Sequence, residues 1–285
     1  MNNKTIRAIK GTQDILPEES IKWQSLEDQI RKITSHYGYH EIRTPAFEKT
    51  KLFSRSVGEE TDIVSKEMYS WTDQGGEDLT LKPELTASVA RAFIQHNLGR
   101  INPINKLYYI DALFRRERPQ KGRYRQFHQF GVETFGSEHP EIDAEVIALA
   151  ISIFKSLGLE GLKLNLNSIG SPECRINYRA ALQKFLKPHF SELTETSQKR
   201  FNDNPLRILD TKASHEIKIL EDAPNISDYL TNEDQTHFNE VIEYLDILKI
   251  EYKLMPRLVR GLDYYTRTTF EITSSNLGAQ NAICG

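Results

Sequence analysis

The chain has 285 residues, 38% of them hydrophobic and 27% charged, which suits a soluble globular protein with one large core or two modest domains. Its formal charge of −3 shows no global basic excess of the kind that marks a nucleic-acid binder, so any polyanion site must be a local patch. Two cysteines, Cys174 and Cys284, lie far apart without a CxxC pair, which points to a reducing compartment and no structural zinc. The opening residues MNNKTIRAIKGTQD lack the apolar run of a signal peptide. No stretch approaches the roughly 18 apolar residues of a membrane span, so a cytoplasmic protein is expected.

After Pro17, the residues Trp23, Leu26, Ile30, Ile33 and Tyr37 recur at spacings of three and four, predicting an amphipathic helix stopped by Gly38. Residues 39–44 read as a short extended piece running into Pro45, which suits a strand end. Residues 79–82 (LTLK) read as a strand, and Pro83 as the opening of a helix that carries Val89, Phe93 and Ile94. Residues 106–116 and 126–136 predict two strands joined by a polar loop with Pro119 and Gly122. Residues 142–157 form an apolar, buried helix, and Leu162, Leu164 and Leu166 alternate with polar residues as a half-buried strand.

From Gly170 to about Thr236 the chain turns helical and polar, punctuated by Pro172, Pro188, Pro205 and Pro224, as an inserted helical subdomain would. A helix over 238–248 and strands at 252–259 and 268–273 return to the earlier style. The expected class is α+β, an antiparallel sheet flanked by helices with a helical insertion. The expected organisation is a core over 1–170, an insertion over 171–234, and the core continued over 235–285.

Residues 115–125 read RRERPQKGRYR: Arg115, Arg116, Arg118, Lys121, Arg123 and Arg125 against Glu117, six positives minus one negative, or +5 in eleven residues. Arginine dominates, which favours forked recognition of phosphate over mere solubility. Along the strand that follows, alternation puts Phe127, Gln129, Gly131 and Glu133 on one face and His128, Phe130 and Val132 on the other. Arg115 and Glu117 share a face of the partner strand. The resulting polar floor beside a basic loop suits a nucleotide together with a polar small molecule.

The segment FRRERPQKGRYRQFHQFGVE closely resembles motif 2 of class II aminoacyl-tRNA synthetases in its histidyl form. LVRGLDYYTRTTFEI, residues 258–272, resembles the histidine-specific motif of that subfamily. YGYHEIRTPAFE, residues 37–48, resembles motif 1, and LTLKPELTASVAR, residues 79–91, a further histidyl-type segment. The resemblance implies that Arg115 binds the α-phosphate of ATP and the reacting carboxylate. Glu117 would contact the adenine amino group, Phe127 would stack under adenine, and Arg123 would reach the distal phosphates. Glu84, Thr86 and Gln129 would hold the α-amino end of L-histidine, and Glu133 and Tyr265 its two imidazole nitrogens. Tyr264 lies beside them, and Arg260 would bridge the substrate carboxylate and the α-phosphate. Arg118 and Gln120 are the positions expected to reach the acceptor end of tRNA(His), and the insertion, with Lys184, Lys187, Lys199, Arg200 and Arg207, to clamp the acceptor stem. ATP would be a substrate with Mg²⁺, with no organic cofactor, zinc or protein-held metal, and motif 1 would make a homodimer without membrane contact.

Taken singly, several of these residues have plainer readings. Glu84 could be a first-turn acid favoured by a helix dipole, Arg260 a surface ion pair, and Tyr264 and Tyr265 strand packing. His128, facing away from the polar floor, reads as a core histidine, Gly131 and Gly261 as close-packing residues, and both cysteines as inert. A histidyl enzyme would continue past Gly285 into motif 3 and an anticodon-binding domain, so a catalytic-core fragment with weak or no aminoacylation of its own is expected. The alternatives are a non-catalytic paralogue of the ATP phosphoribosyltransferase regulatory-subunit type, or a histidyl-like module that senses uncharged tRNA. A class I synthetase is disfavoured because neither HIGH nor KMSKS occurs.

Overall fold

A computed structural model describes every residue except 1–4, 59–60, 62, 121, 262–263 and 275–281. Lys121 of the basic loop, and Leu262 and Asp263 of the 258–272 segment, therefore lie outside the described residues. The chain divides into two compact units, Met1–Ser137 and Glu138–Gly285.

In the first unit, α1 (Pro17–His36) starts with proline at its first position and Glu18 and Glu19 in its first turn, where the exposed amides favour acids. It buries Ile30 and Thr34 and ends at Tyr37 before Gly38, whose φ of +78° lies in the left-handed region that glycine enters without strain. The extended piece expected over 39–44 shortens to β1 (His40–Glu41). There follow β2 (Phe47–Lys49), α2 (Thr50–Val57), β3 (Tyr69–Thr72) and β4 (Asp78–Leu81), with β4 antiparallel to both β2 and β3.

The helix expected to open at Pro83 begins instead at Thr86, as α3 (Thr86–Gln95), because the Glu84 carboxylate accepts the Ala87 N–H at 3.1 Å and caps the helix from outside it. After α4 (Leu98–Ile101) come β5 (Asn105–Phe114) and β6 (Gln126–Phe135), a ten-rung antiparallel hairpin running from Asn105 opposite Phe135 to Phe114 opposite Gln126. Leu85, Val89, Leu107, Tyr109 and Leu113 form the core beneath it, with Phe127 packed at the edge.

In the second unit, α5 (Pro140–Ser156) lays Ala144 and Ile147 against Phe238, Val241 and Leu245 of α9 (Asn232–Ile247). Leu164 and Leu166 of β7 (Leu162–Ser168) join the same core from the sheet. Between β7 and α9 run α6 (Pro172–Leu186), α7 (Glu195–Asp203) and α8 (Ser214–Ile219) with intervening 3₁₀ turns, the helical stretch expected. It has a core of its own around Tyr178, Leu182, Leu186, Ile208 and Leu220.

The remaining strands are β8 (Tyr252–Leu254), β9 (Thr268–Ser274) and β10 (Ala282–Cys284), giving the order β10-β9-β7-β8. The strand expected to reach 259 stops at Leu254. Pro256 has no N–H to donate, and the Asn167 side-chain amide takes the Pro256 and Leu258 carbonyls at 3.2 and 3.0 Å in place of a ladder. The class is α+β as expected, although β1 runs parallel to β5, and β8 parallel to β7.

Candidate active site

The hairpin ladder fixes the floor. Phe127, Gln129, Gly131 and Glu133 stand opposite Leu113, Asp111, Tyr109 and Leu107, so these eight residues share one face. At its centre, Glu133 Oε1 accepts two hydroxyls: Thr86 Oγ1, from the first turn of α3, at 2.7 Å, and Tyr109 Oη, from β5, at 3.2 Å. Burial pushes the Glu133 carboxyl up to about 7, and the charge of Glu84 pushes it the same way, against the pull of the two hydroxyls. Glu84 is itself buried and lifted above the usual carboxylate range by desolvation, while the Ala87 and Thr86 amides and the Arg115 charge act against that rise. Two acids with unequal environments, Glu133 on this face and Glu84 just ahead of α3, are thus electrostatically coupled, and Glu84 also feels a cation.

That cation is Arg115, just past the end of β5. Its Nε donates to the Pro83 carbonyl at 2.8 Å, and its guanidinium lies over the Phe127 ring, 5.1 Å from the centroid. An arginine fixed over one face of an aromatic ring can meet a phosphate, and the ring's other face can stack a base. Glu117, read from the sequence as a strand residue, lies beyond β5 in the loop. Arg123 Nη1 approaches Glu117 Oε2 at 3.3 Å, and the Arg125 guanidinium bonds the Glu117 carbonyl at 3.4 Å. The loop tip closes through reciprocal backbone bonds between Gln120 and Arg123, leaving Arg118 and Gln120 exposed. Gln129 is also exposed.

Three residues at or beside this face, Tyr109, Lys82 and Asp111, escaped the sequence reading. Tyr109 falls inside the strand expected over 106–116, where nothing in the sequence singles it out. The strand ends expected from the sequence, 116 and 126, would set it opposite Glu133, whereas the observed register sets it opposite Gly131, an aromatic facing a glycine. Lys82, almost fully buried, donates to Asp111 Oδ2 at 2.5 Å and to the Thr44 carbonyl at 3.3 Å. Its backbone also bonds Ala46 and Phe114, so it ties the strand leading to Glu84 onto the hairpin. No local pattern distinguishes Lys82 from the many exposed lysines of the chain. His128 corrects a prediction: it is exposed, with its ring 4.7 Å from that of Trp23, rather than in the core.

The second unit carries the other predicted residues. Arg260 lies 5.9 Å from the Tyr265 ring centroid and donates to Glu271 Oε2 at 3.2 Å, so its ion pair is real but partly buried. Tyr264 and Tyr265 stack at 4.9 Å, and Arg175 from α6 donates to the Tyr265 carbonyl at 2.8 Å, linking the helical stretch to this segment. Among the described residues nothing lies within 4 Å of where a side chain on Gly261 would begin, so no packing contact there accounts for that glycine. Burial pushes the Cys174 thiol up to about 11 and the Cys284 thiol up to about 12, so neither is thiolate near neutral pH, as an inert cysteine requires. Two hollows in this unit lie around Arg267, which is paired with Glu233 and Asp234, and their linings include none of the predicted residues.

Residues 11–285 match the model of the histidyl-tRNA synthetase family. The chain belongs to that family. The histidine–tRNA ligase of Halothermothrix orenii is 53% identical over 281 residues, 98% of this chain and 67% of the relative. An apo histidyl-tRNA synthetase from S. aureus superposes with a TM-score of 0.77 at 42% identity, covering 98% of this chain and 64% of that one. The chain therefore spans about two thirds of the length of the relatives it matches. A protein described as an ATP phosphoribosyltransferase regulatory subunit/histidyl-tRNA synthetase, from Bacillus halodurans C, shares the fold at a TM-score of 0.69 but only 24% identity, covering 96% of this chain and 74% of that one. The paralogue reading thus rests on fold alone, whereas the synthetase reading rests on the sequence as well. Among the described residues no helix is long and apolar enough to cross a membrane.

Proposed function

We propose that the chain is the catalytic core of a histidine–tRNA ligase. It activates L-histidine with ATP and then passes histidine to the 3′ end of tRNA(His). In the first step a carboxylate oxygen of histidine attacks the α-phosphorus in line, the bond to the β-phosphate breaks, and pyrophosphate leaves. In the second, a hydroxyl of the terminal ribose attacks the acyl carbon and AMP leaves. Neither step needs a protein nucleophile. Both need positioning and cations that offset the charge gathering at phosphorus.

The observation that carries this reading is the pairing on one hairpin face of Arg115 over Phe127 with Glu133 held by two hydroxyls. The first half suits a nucleotide and the second a small donor such as an imidazole N–H. On this reading Arg115 takes the α-phosphate, Phe127 the adenine ring, Glu117 its amino group and Arg123 the distal phosphates. Glu84, Thr86 and Gln129 take the amino end of histidine, Glu133 and Tyr265 its ring nitrogens with Tyr264 beside them, and Arg260 the carboxylate and α-phosphate. A site that bonds both ring nitrogens leaves groups unpaired with any other amino acid, which is how large discrimination arises.

Among the described residues no group of three or more His, Cys, Asp or Glu is placed to hold a metal, and Mg²⁺ is assigned to the nucleotide as part of the substrate. Class II membership, a homodimer built on the 37–48 segment, tRNA contacts by Arg118, Gln120 and the helical stretch, and a cytoplasmic location belong to the same reading. Histidine-dependent ATP–pyrophosphate exchange, by the chain extended through the motif 3 expected after Gly285, tests it. Glu133→Ala should abolish exchange, and an active variant with unchanged apparent histidine affinity would sink the assignment.

A further inference from the structure

Gly131 sits directly opposite Tyr109 on the ladder. A Cβ built on Gly131 would lie 2.3 Å from Tyr109 Oη and 2.4–2.5 Å from two of its ring carbons. The phenol therefore crosses the backbone of β6 at a point that no residue with a side chain could occupy, and it does so to reach Glu133, two residues along the same strand. Thr86 arrives at the same oxygen from the first turn of α3. Both hydrogen bonds thus fall on Oε1 of a carboxylate that has two oxygens.

We propose that Tyr109 is a positioning residue for amino-acid recognition. Together with Thr86 it occupies Oε1 of Glu133, so that Oε2 is presented to the ligand in one orientation, and residue 131 is glycine because the phenol must cross it. This rests on the reading that Glu133 binds histidine. A carboxylate anchored at one oxygen cannot rotate about its terminal bond without breaking two hydrogen bonds, so its second oxygen is pre-organised toward a donor. The entropy of fixing that torsion is met when the chain folds rather than when the ligand binds.

Direct binding of L-histidine by titration calorimetry tests the idea on the whole chain. Tyr109→Phe keeps the ring and removes only the hydroxyl. Without that hydroxyl the carboxylate torsion loosens and must be fixed again on binding, so affinity should fall about three- to tenfold. Gly131→Ala, which expels the phenol, should lose at least as much. In a Tyr109→Ala background the same glycine substitution should cost nothing further, because the group it displaces is gone. A role in packing alone would lower the melting temperature of Tyr109→Phe and leave its histidine affinity intact, and that result would overturn the proposal. Glu133→Ala separates the two levels. If it binds histidine as wild type does, the reading of the site falls and this inference with it. If it loses binding while Tyr109→Phe and Gly131→Ala do not, the inference alone falls.

Discussion

Replacing Glu133 by glutamine should make the ligand-free protein more stable while removing its affinity for histidine. Burial, aided by Glu84, leaves the Glu133 carboxyl ionising near 7 in the folded chain against an ordinary value of 4.5. The unfolded chain releases this proton first as the pH rises. Folding therefore loses free energy progressively between about pH 4.5 and 7, and the cost levels off above both values at about 3 kcal/mol. Glutamine is close in shape to the neutral acid and its carbonyl can accept the same hydroxyls of Thr86 and Tyr109, so it escapes that cost. The two proteins should melt together near pH 4, and the variant should be the more stable by up to about 3 kcal/mol near pH 8. Thermal melts at several pH values, without histidine, measure this. A Glu133→Gln protein that is less stable than wild type near pH 8, or a difference that does not change with pH, would refute the account of how this carboxylate is held.

Lys82→Met should destabilise the chain by about 3 kcal/mol near neutral pH, because a buried ion pair that loses one partner leaves an uncompensated charge on Asp111. In thermal melts a variant as stable as wild type at pH 7 would remove Lys82 from its anchoring role. Arg118→Ala, at an exposed position of the loop between the hairpin strands, should weaken tRNA charging more than adenylate formation. Equal losses in the two half-reactions would move Arg118 into the nucleotide site.

Much of the architecture was legible in the chain because it is local. The stripe from Trp23 to Ile33 specifies α1, and the polar loop between two alternating segments specifies the β5–β6 hairpin to within a residue or two at either end. The apolar run of α5 and the proline-punctuated helical stretch were equally plain. Alternation alone placed Phe127, Gln129, Gly131 and Glu133 on one face, since side chains along a strand point in turn to opposite sides. The order of the four resembling segments and the arginine-rich loop identified the family without any knowledge of distance. His128 shows where such reasoning stops: alternation set it on the opposite face correctly, but whether that face was covered depended on what packed there, and it is exposed.

Only the tertiary structure decided which polar atoms meet. Thr86 and Tyr109 reach Glu133 from 47 and 24 residues away in sequence, and Lys82 reaches Asp111 across 29. A lysine or tyrosine reads the same in a sequence whether water or a carboxylate surrounds it. The difference is desolvation, which depends on everything that packs nearby rather than on the neighbours along the chain. That is also why Glu133, legible from the sequence as a polar residue on a strand, becomes an acid that ionises near neutral pH only once the fold has enclosed it.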